Sequence, residues 1–73
     1  MSLDIKTMEL VALSAAIGGN CIPCLEWHYK KCIELSISKE EIKEAIKMAN
    51  TVKQVSINKI NEVAEQLLNK MNE

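Results

Sequence analysis

A chain of 73 residues with a net charge of −1 can hold one small domain, and a domain this size buries a core too small to stand comfortably alone. All nine basic residues are lysine; without arginine or a basic run, the chemistry that grips phosphates and base edges is missing, and no nucleic-acid partner is expected. No apolar stretch approaches the ~20 residues that cross a bilayer, so no membrane partner is expected either.

One Trp, one Tyr and no Phe leave the core to Leu, Ile, Val, Ala and Met. No basic segment stands before an apolar one near the start, so no secretory leader is expected. With three cysteines, an odd number, the expected compartment is the reducing cytoplasm. There a close cysteine pair is redox-active or metal-binding rather than a structural staple. A second copy of the chain is the expected support for so small a core.

The periodicity is helical throughout, with no strand, and predicts an all-α fold of about four helices in a single domain over residues 1–73. The first helix is expected from Asp4 to Ile17, with Met8, Val11, Ala12, Ala15 and Ala16 as its buried stripe and Gly18-Gly19 as its stop. The second runs from Cys21-Ile-Pro-Cys24 to about Leu35. Pro23 suits a first helical turn but disfavours helical angles at Ile22, so a start at Pro23 is expected. The third begins at Ser38, where Ser38 and Glu41 form an S-x-x-E capping box. A bend is expected within the β-branched stretch 51–57, and a fourth helix from Ser56 carries Ile57, Ile60, Val63, Ala64, Leu67, Leu68 and Met71; the alternative is one continuous helix, since no glycine or proline separates the two.

The chemistry concentrates in Cys21-Ile-Pro-Cys24-Leu-Glu-Trp-His28. Two thiols three residues apart can cycle between dithiol and disulfide. Cys24 falls in the first turn of the second helix, where free backbone N–H groups favour a thiolate. His28, the only histidine, follows one turn later on the same face and can exchange a proton with Cys24. Glu9 sits at the head of the most apolar segment. A carboxylate there needs a partner, and His28 is the candidate; their contact would orient the imidazole. Cys32 continues the stripe but lies two turns, about 12 Å, from Cys24, and is read as a small buried apolar residue. Trp27 suits a pocket wall or a subunit contact. The Lys39–Glu44 charges form a solvated face.

Three function classes remain open at this point: a redox enzyme using the two thiols, a metal-binding module using Cys21, Cys24 and His28 with a further ligand from elsewhere, and a non-catalytic helical interaction protein. The pattern E-x11-C-x2-C-x3-H, formed by Glu9, Cys21, Cys24 and His28, resembles the signature of the alkylhydroperoxidase D-like branch of the carboxymuconolactone decarboxylase family, over roughly Glu9 to Val52. The resemblance implies an all-helical homo-oligomer, a trimer or hexamer, with its active site near subunit contacts. It also implies reduction of a hydroperoxide at the expense of a dithiol or protein reductant, without haem, flavin or metal. On that basis Cys24 attacks the peroxide and becomes a sulfenic acid, Cys21 donates a proton and then resolves it to a disulfide, and His28 and Glu9 relay the proton. General disulfide exchange without peroxide turnover is the alternative. Two departures stand out: Pro23 occupies the place where some members carry a second histidine between the cysteines, and the chain matches only a minimal core of the longer two-repeat members. The decarboxylase branch lacks the cysteine pair, which argues against lactone decarboxylation.

Overall fold

The computed structural model describes residues 2–71. Among them the chain forms three helices and no strand: α1 Ile5–Gly18, α2 Ile22–Glu34 and α3 Lys39–Met71. The all-α expectation holds, but the expected third and fourth helices are one helix of 33 residues. The bend at 51–57 is absent. Each β-branched residue costs a helix only a few tenths of a kcal/mol, and no glycine or proline interrupts the run. The Thr51 hydroxyl donates to the Lys47 carbonyl at 2.8 Å, so even this polar side chain is satisfied within the helix.

Both connections are tight turns of one type. At the end of α1, the N–H of Asn20 donates to Ile17 O and that of Cys21 to Ala16 O, the paired bonds of a Schellman turn. Its left-handed residue is Asn20, φ 56°, not either glycine: Gly18 is the last residue of α1 and Gly19 has φ −88°. Asparagine tolerates this region because its short polar side chain interacts locally. At the end of α2, Ser36 is left-handed with φ 58°, Ser36 N–H donates to Ile33 O and Ile37 N–H to Cys32 O. Ile37 then tucks into the core at 5% exposure. α3 opens with the expected capping box: Glu41 N–H donates to Ser38 Oγ at 3.1 Å, and Ser38 N–H to Glu41 Oε1 at 3.3 Å.

α1 is the middle helix, packing on both α2 and α3. The core is small: Leu13, Cys32, Ile37 and Ile42, edged by half-buried Leu10, Ile17, Leu25, Leu35, Ala45 and Ile46. The buried stripe of α1 differs from the expected one. Leu13 and Ala16 are buried, whereas Met8, Val11 and Ala15 face outward. Apolar residues surround α1 almost evenly, so its pattern does not select a face. The second half of α3 leaves the bundle, giving a body of 58 × 23 × 23 Å. From residue 50 to 71 only Lys53 is even half-buried.

Candidate redox site

The Schellman turn places the cysteines. The residue that completes the turn, Cys21, is also the N-cap of α2, in an extended conformation (φ −101°, ψ 99°). Ile22 is therefore already helical, one residue before the expected start at Pro23. The turn has moved the extended residue back to Cys21, and Pro23 occupies the first turn, where its missing N–H costs nothing. Cys24 follows as the third helical residue. Cys21 and Cys24 are joined in a disulfide, with their Cα atoms 5.2 Å apart. The Cys24 N–H points at Cys21 Sγ, 3.3 Å away, so the sulfur takes the role of an oxygen cap on one of the open N–H groups of the helix.

His28 lies one turn beyond Cys24. Its Nδ1 is 2.8 Å from Glu9 Oε1, across the α1–α2 interface. The side chains are 29% and 20% exposed respectively, so the pair is partly shielded from water, which strengthens the interaction. With the proton on Nδ1 donated to the carboxylate, Nε2 is left as the group free to take or give a proton. The contact expected from the sequence is thus present: Glu9 is the third group that holds an imidazole beside a thiol pair.

Cys21, Cys24 and His28 line one cavity of about 300 Å³ together with Ala12, Ala15 and Ala16 of α1. The alanines provide the room: larger side chains on that face of α1 would fill the space over the sulfurs. A second cavity of about 270 Å³, almost wholly apolar, lies on the other side of Cys21, between Ala16, Ile17, Asn20, Ile22, Leu25 and Lys53. Lys53 Nζ donates to Asn20 Oδ1 at 2.6 Å, tying α3 to the turn before Cys21. Sequence reasoning missed Lys53, which lies 32 residues from Cys21 with no pattern to connect them. Cys32 is fully buried in the core, away from the cavity. Burial, and then the negative charge of Glu9, push its thiol up from the ordinary value. Trp27 is largely exposed, with Lys31 Nζ 4.9 Å from its ring centroid, and lines neither cavity.

Among the described residues, no group of three or more His, Cys, Asp or Glu side chains is arranged to hold a metal ion. In the disulfide neither sulfur is a thiolate, the form that binds zinc. No helix among the described residues is long and apolar enough to cross a membrane.

No curated protein and no solved structure matches the chain. The sequence model of the carboxymuconolactone decarboxylase family does match, over residues 1–66. That span takes in Glu9, both sulfurs, His28 and the whole folded bundle. The chain therefore belongs to the carboxymuconolactone decarboxylase family, the alkylhydroperoxidase D-like family that its cysteine–histidine–glutamate pattern resembles.

Proposed function

We propose that the protein is a thiol-dependent peroxidase acting through Cys24. In the reduced form the open N–H groups at the start of α2 favour the Cys24 thiolate. That thiolate attacks the outer oxygen of a hydroperoxide ROOH. The O–O bond breaks, Cys24 becomes the sulfenic acid, and the alkoxide leaves with a proton from Cys21 or from His28 Nε2. Cys21 sulfur then attacks Cys24 sulfur, water departs, and the disulfide forms. An external dithiol returns the two electrons and is itself oxidised. Glu9 orients His28 for the proton steps.

The observation that carries this reading is the convergence on one cavity of a disulfide-linked pair and the only histidine, the latter held by a carboxylate. A second reading, disulfide exchange without peroxide turnover, is favoured by one observation: Pro23 stands between the thiols and supplies no proton donor there. Turnover in either case needs a dithiol donor and therefore a reducing compartment such as the cytoplasm. The working form is a homo-oligomer, a trimer or hexamer.

The test is consumption of a panel of peroxides (hydrogen, tert-butyl and cumene hydroperoxide) with a dithiol reductant. Peroxide loss that disappears in Cys24→Ser supports the peroxidase. Undiminished loss in that variant would remove Cys24 as nucleophile. Disulfide reduction without peroxide loss would select the exchange reading.

A further inference from the structure

We infer that the electron donor that reopens the Cys21–Cys24 disulfide attacks Cys21 from the apolar cavity bounded by Ile17, Ile22, Leu25 and Lys53, that this donor is a small dithiol with an uncharged apolar body, and that Lys53 holds its attacking thiolate. This rests on the reading of that disulfide as one that is reduced in turnover.

The disulfide has two different sides. Counted around α2 at about 100° per residue, Ile22 and Leu25 fall on one side of Cys21, and Cys24 and His28 on the other. The cavities follow that division. Cys21 lines both, whereas Cys24 and His28 line only the one beside Ala12 and Ala15. A donor seated in the apolar cavity therefore meets the Cys21 sulfur and not that of Cys24. The leaving group agrees with this direction of attack. The thiol of lower pKa leaves a disulfide faster, and Cys24, the third residue of α2, has the open N–H groups that favour its thiolate. Its departure produces, in the cavity it shares with His28, the thiolate that the next peroxide needs.

The walls select the donor. Ile17, Ile22 and Leu25 offer no side-chain hydrogen-bond partner, and a polar group placed among them would lose water with nothing in return. Asn20 Oδ1, the one amide oxygen of the lining, already accepts from Lys53 Nζ at 2.6 Å. The attacking thiolate is the exception, because Lys53 is the one charged residue lining the cavity. Its ammonium has three donors and gives one to Asn20, which fixes it beside the turn that ends at Cys21. A half-buried cation favours an anion next to it. A volume of about 270 Å³ is near the lower end for ligand pockets, which suits a compact molecule. A donor that carries both thiols completes the exchange without a second molecule having to enter.

The electrons balance. The donor's first thiol gives its proton to solvent and its thiolate bonds to the Cys21 sulfur. The Cys21–Cys24 bond breaks, and its electron pair leaves on Cys24. The donor's second sulfur, losing its proton as it attacks, then displaces Cys21 from the mixed disulfide. The donor departs as a cyclic disulfide, two electrons poorer, and Cys21 takes up a proton.

The experiment uses the oxidised full chain with no peroxide present, so its failure is distinct from failure of the peroxide assay. Reduction by 1,4-butanedithiol and by dithiothreitol, which differ only in two hydroxyls, is timed by acid quench and mass shift. Each rate is divided by that of the same dithiol on oxidised glutathione, which removes intrinsic reactivity. The normalised rate should favour butanedithiol by about 10-fold. The monothiol butanethiol, quenched in acid and followed by N-ethylmaleimide, should place its butyl group on Cys21 and the maleimide on Cys24 by fragment mass spectrometry. Both measurements use the wild-type chain. Lys53→Met should then slow butanedithiol about 10-fold. Lys53→Gln, which keeps a hydrogen-bond donor but no charge, should be as slow, and Lys53→Arg should restore most of the rate. Equal normalised rates for the two dithiols, a butyl group on Cys24, or a Lys53→Gln protein as fast as wild type would each overturn the inference.

Discussion

Glu9 Oε1 and His28 Nδ1 meet at 2.8 Å from two helices, 19 residues apart in the chain. The pair engages one ring nitrogen of a histidine that lines one cavity with both cysteines. Replacing Glu9 with Gln should keep the helices packed but weaken the charged hydrogen bond that orients the imidazole. The expected outcome is a peroxide rate lowered about 10-fold, with Glu9→Ala lower still and Glu9→Asp recovering part of the loss; His28→Ala should cost about 100-fold. Stopped-flow rates of peroxide loss, set beside unchanged melting curves, separate positioning from folding. Equal losses for Asp and Ala would count against an orienting role.

Cys32 should behave as a core residue. Its folded thiol titrates above the ordinary value of 9.0. The raised value means the contribution to stability is present below that pH and is lost as pH rises through the folded value, because the unfolded chain ionises first. At neutral pH, with the disulfide intact, a thiol reagent should label nothing until denaturant is added. Cys32→Ser, which puts a hydroxyl into an apolar site, should cost about 1–3 kcal/mol in chemical denaturation.

Asp4 caps α1, accepting the Thr7 N–H at 2.7 Å. The hydrogen bond from the Thr7 backbone holds its carboxyl below the ordinary 3.8. Its contribution is therefore present above about that value and is lost as pH falls through the lower folded value. Thermal melts of the wild type should drop across that acid range, and Asp4→Ala, already lower at neutral pH, should drop less steeply.

The turn before Cys21 makes a further prediction. Gly18 is helical and has open space where a Cβ would go, so Gly18→Ala should stabilise by about 0.5–1 kcal/mol. Asn20→Val, a β-branched residue at φ 56° that also loses the bond from Lys53, should destabilise by about 1–2 kcal/mol. Asn20→Gly separates the two effects: it removes the strain and keeps only the lost contact. Urea denaturation of the three variants orders them.

Much of the site could be read from the sequence because its determinants are local or chemically scarce. Cys21, Cys24 and His28 lie within eight residues, so helix geometry alone aligns them. Glu9 was tied to His28 because a carboxylate in an apolar segment needs a partner and only one histidine exists. The Ser38–Glu41 box marked the start of α3, and the stripe through Cys32 foretold its burial. Features decided by tertiary packing were not legible. The face of α1 was misassigned because alanines and aliphatics encircle it. The left-handed conformation fell to Asn20 rather than a glycine, which shifted the start of α2 to Ile22. Lys53 reaches Asn20 only because α3 runs straight through residues 51–57, where β-branched residues suggested a bend that their small helix cost could not enforce.

Trapping a sulfenic acid tests most directly whether Cys24 is the sulfur that meets peroxide. Reduced Cys21→Ser protein, which cannot resolve the intermediate, is treated with one equivalent of hydroperoxide in the presence of dimedone and digested for peptide mass spectrometry. A dimedone adduct is expected on Cys24 and none on Cys32. Peroxide left unconsumed, or an adduct confined to Cys32, would contradict it.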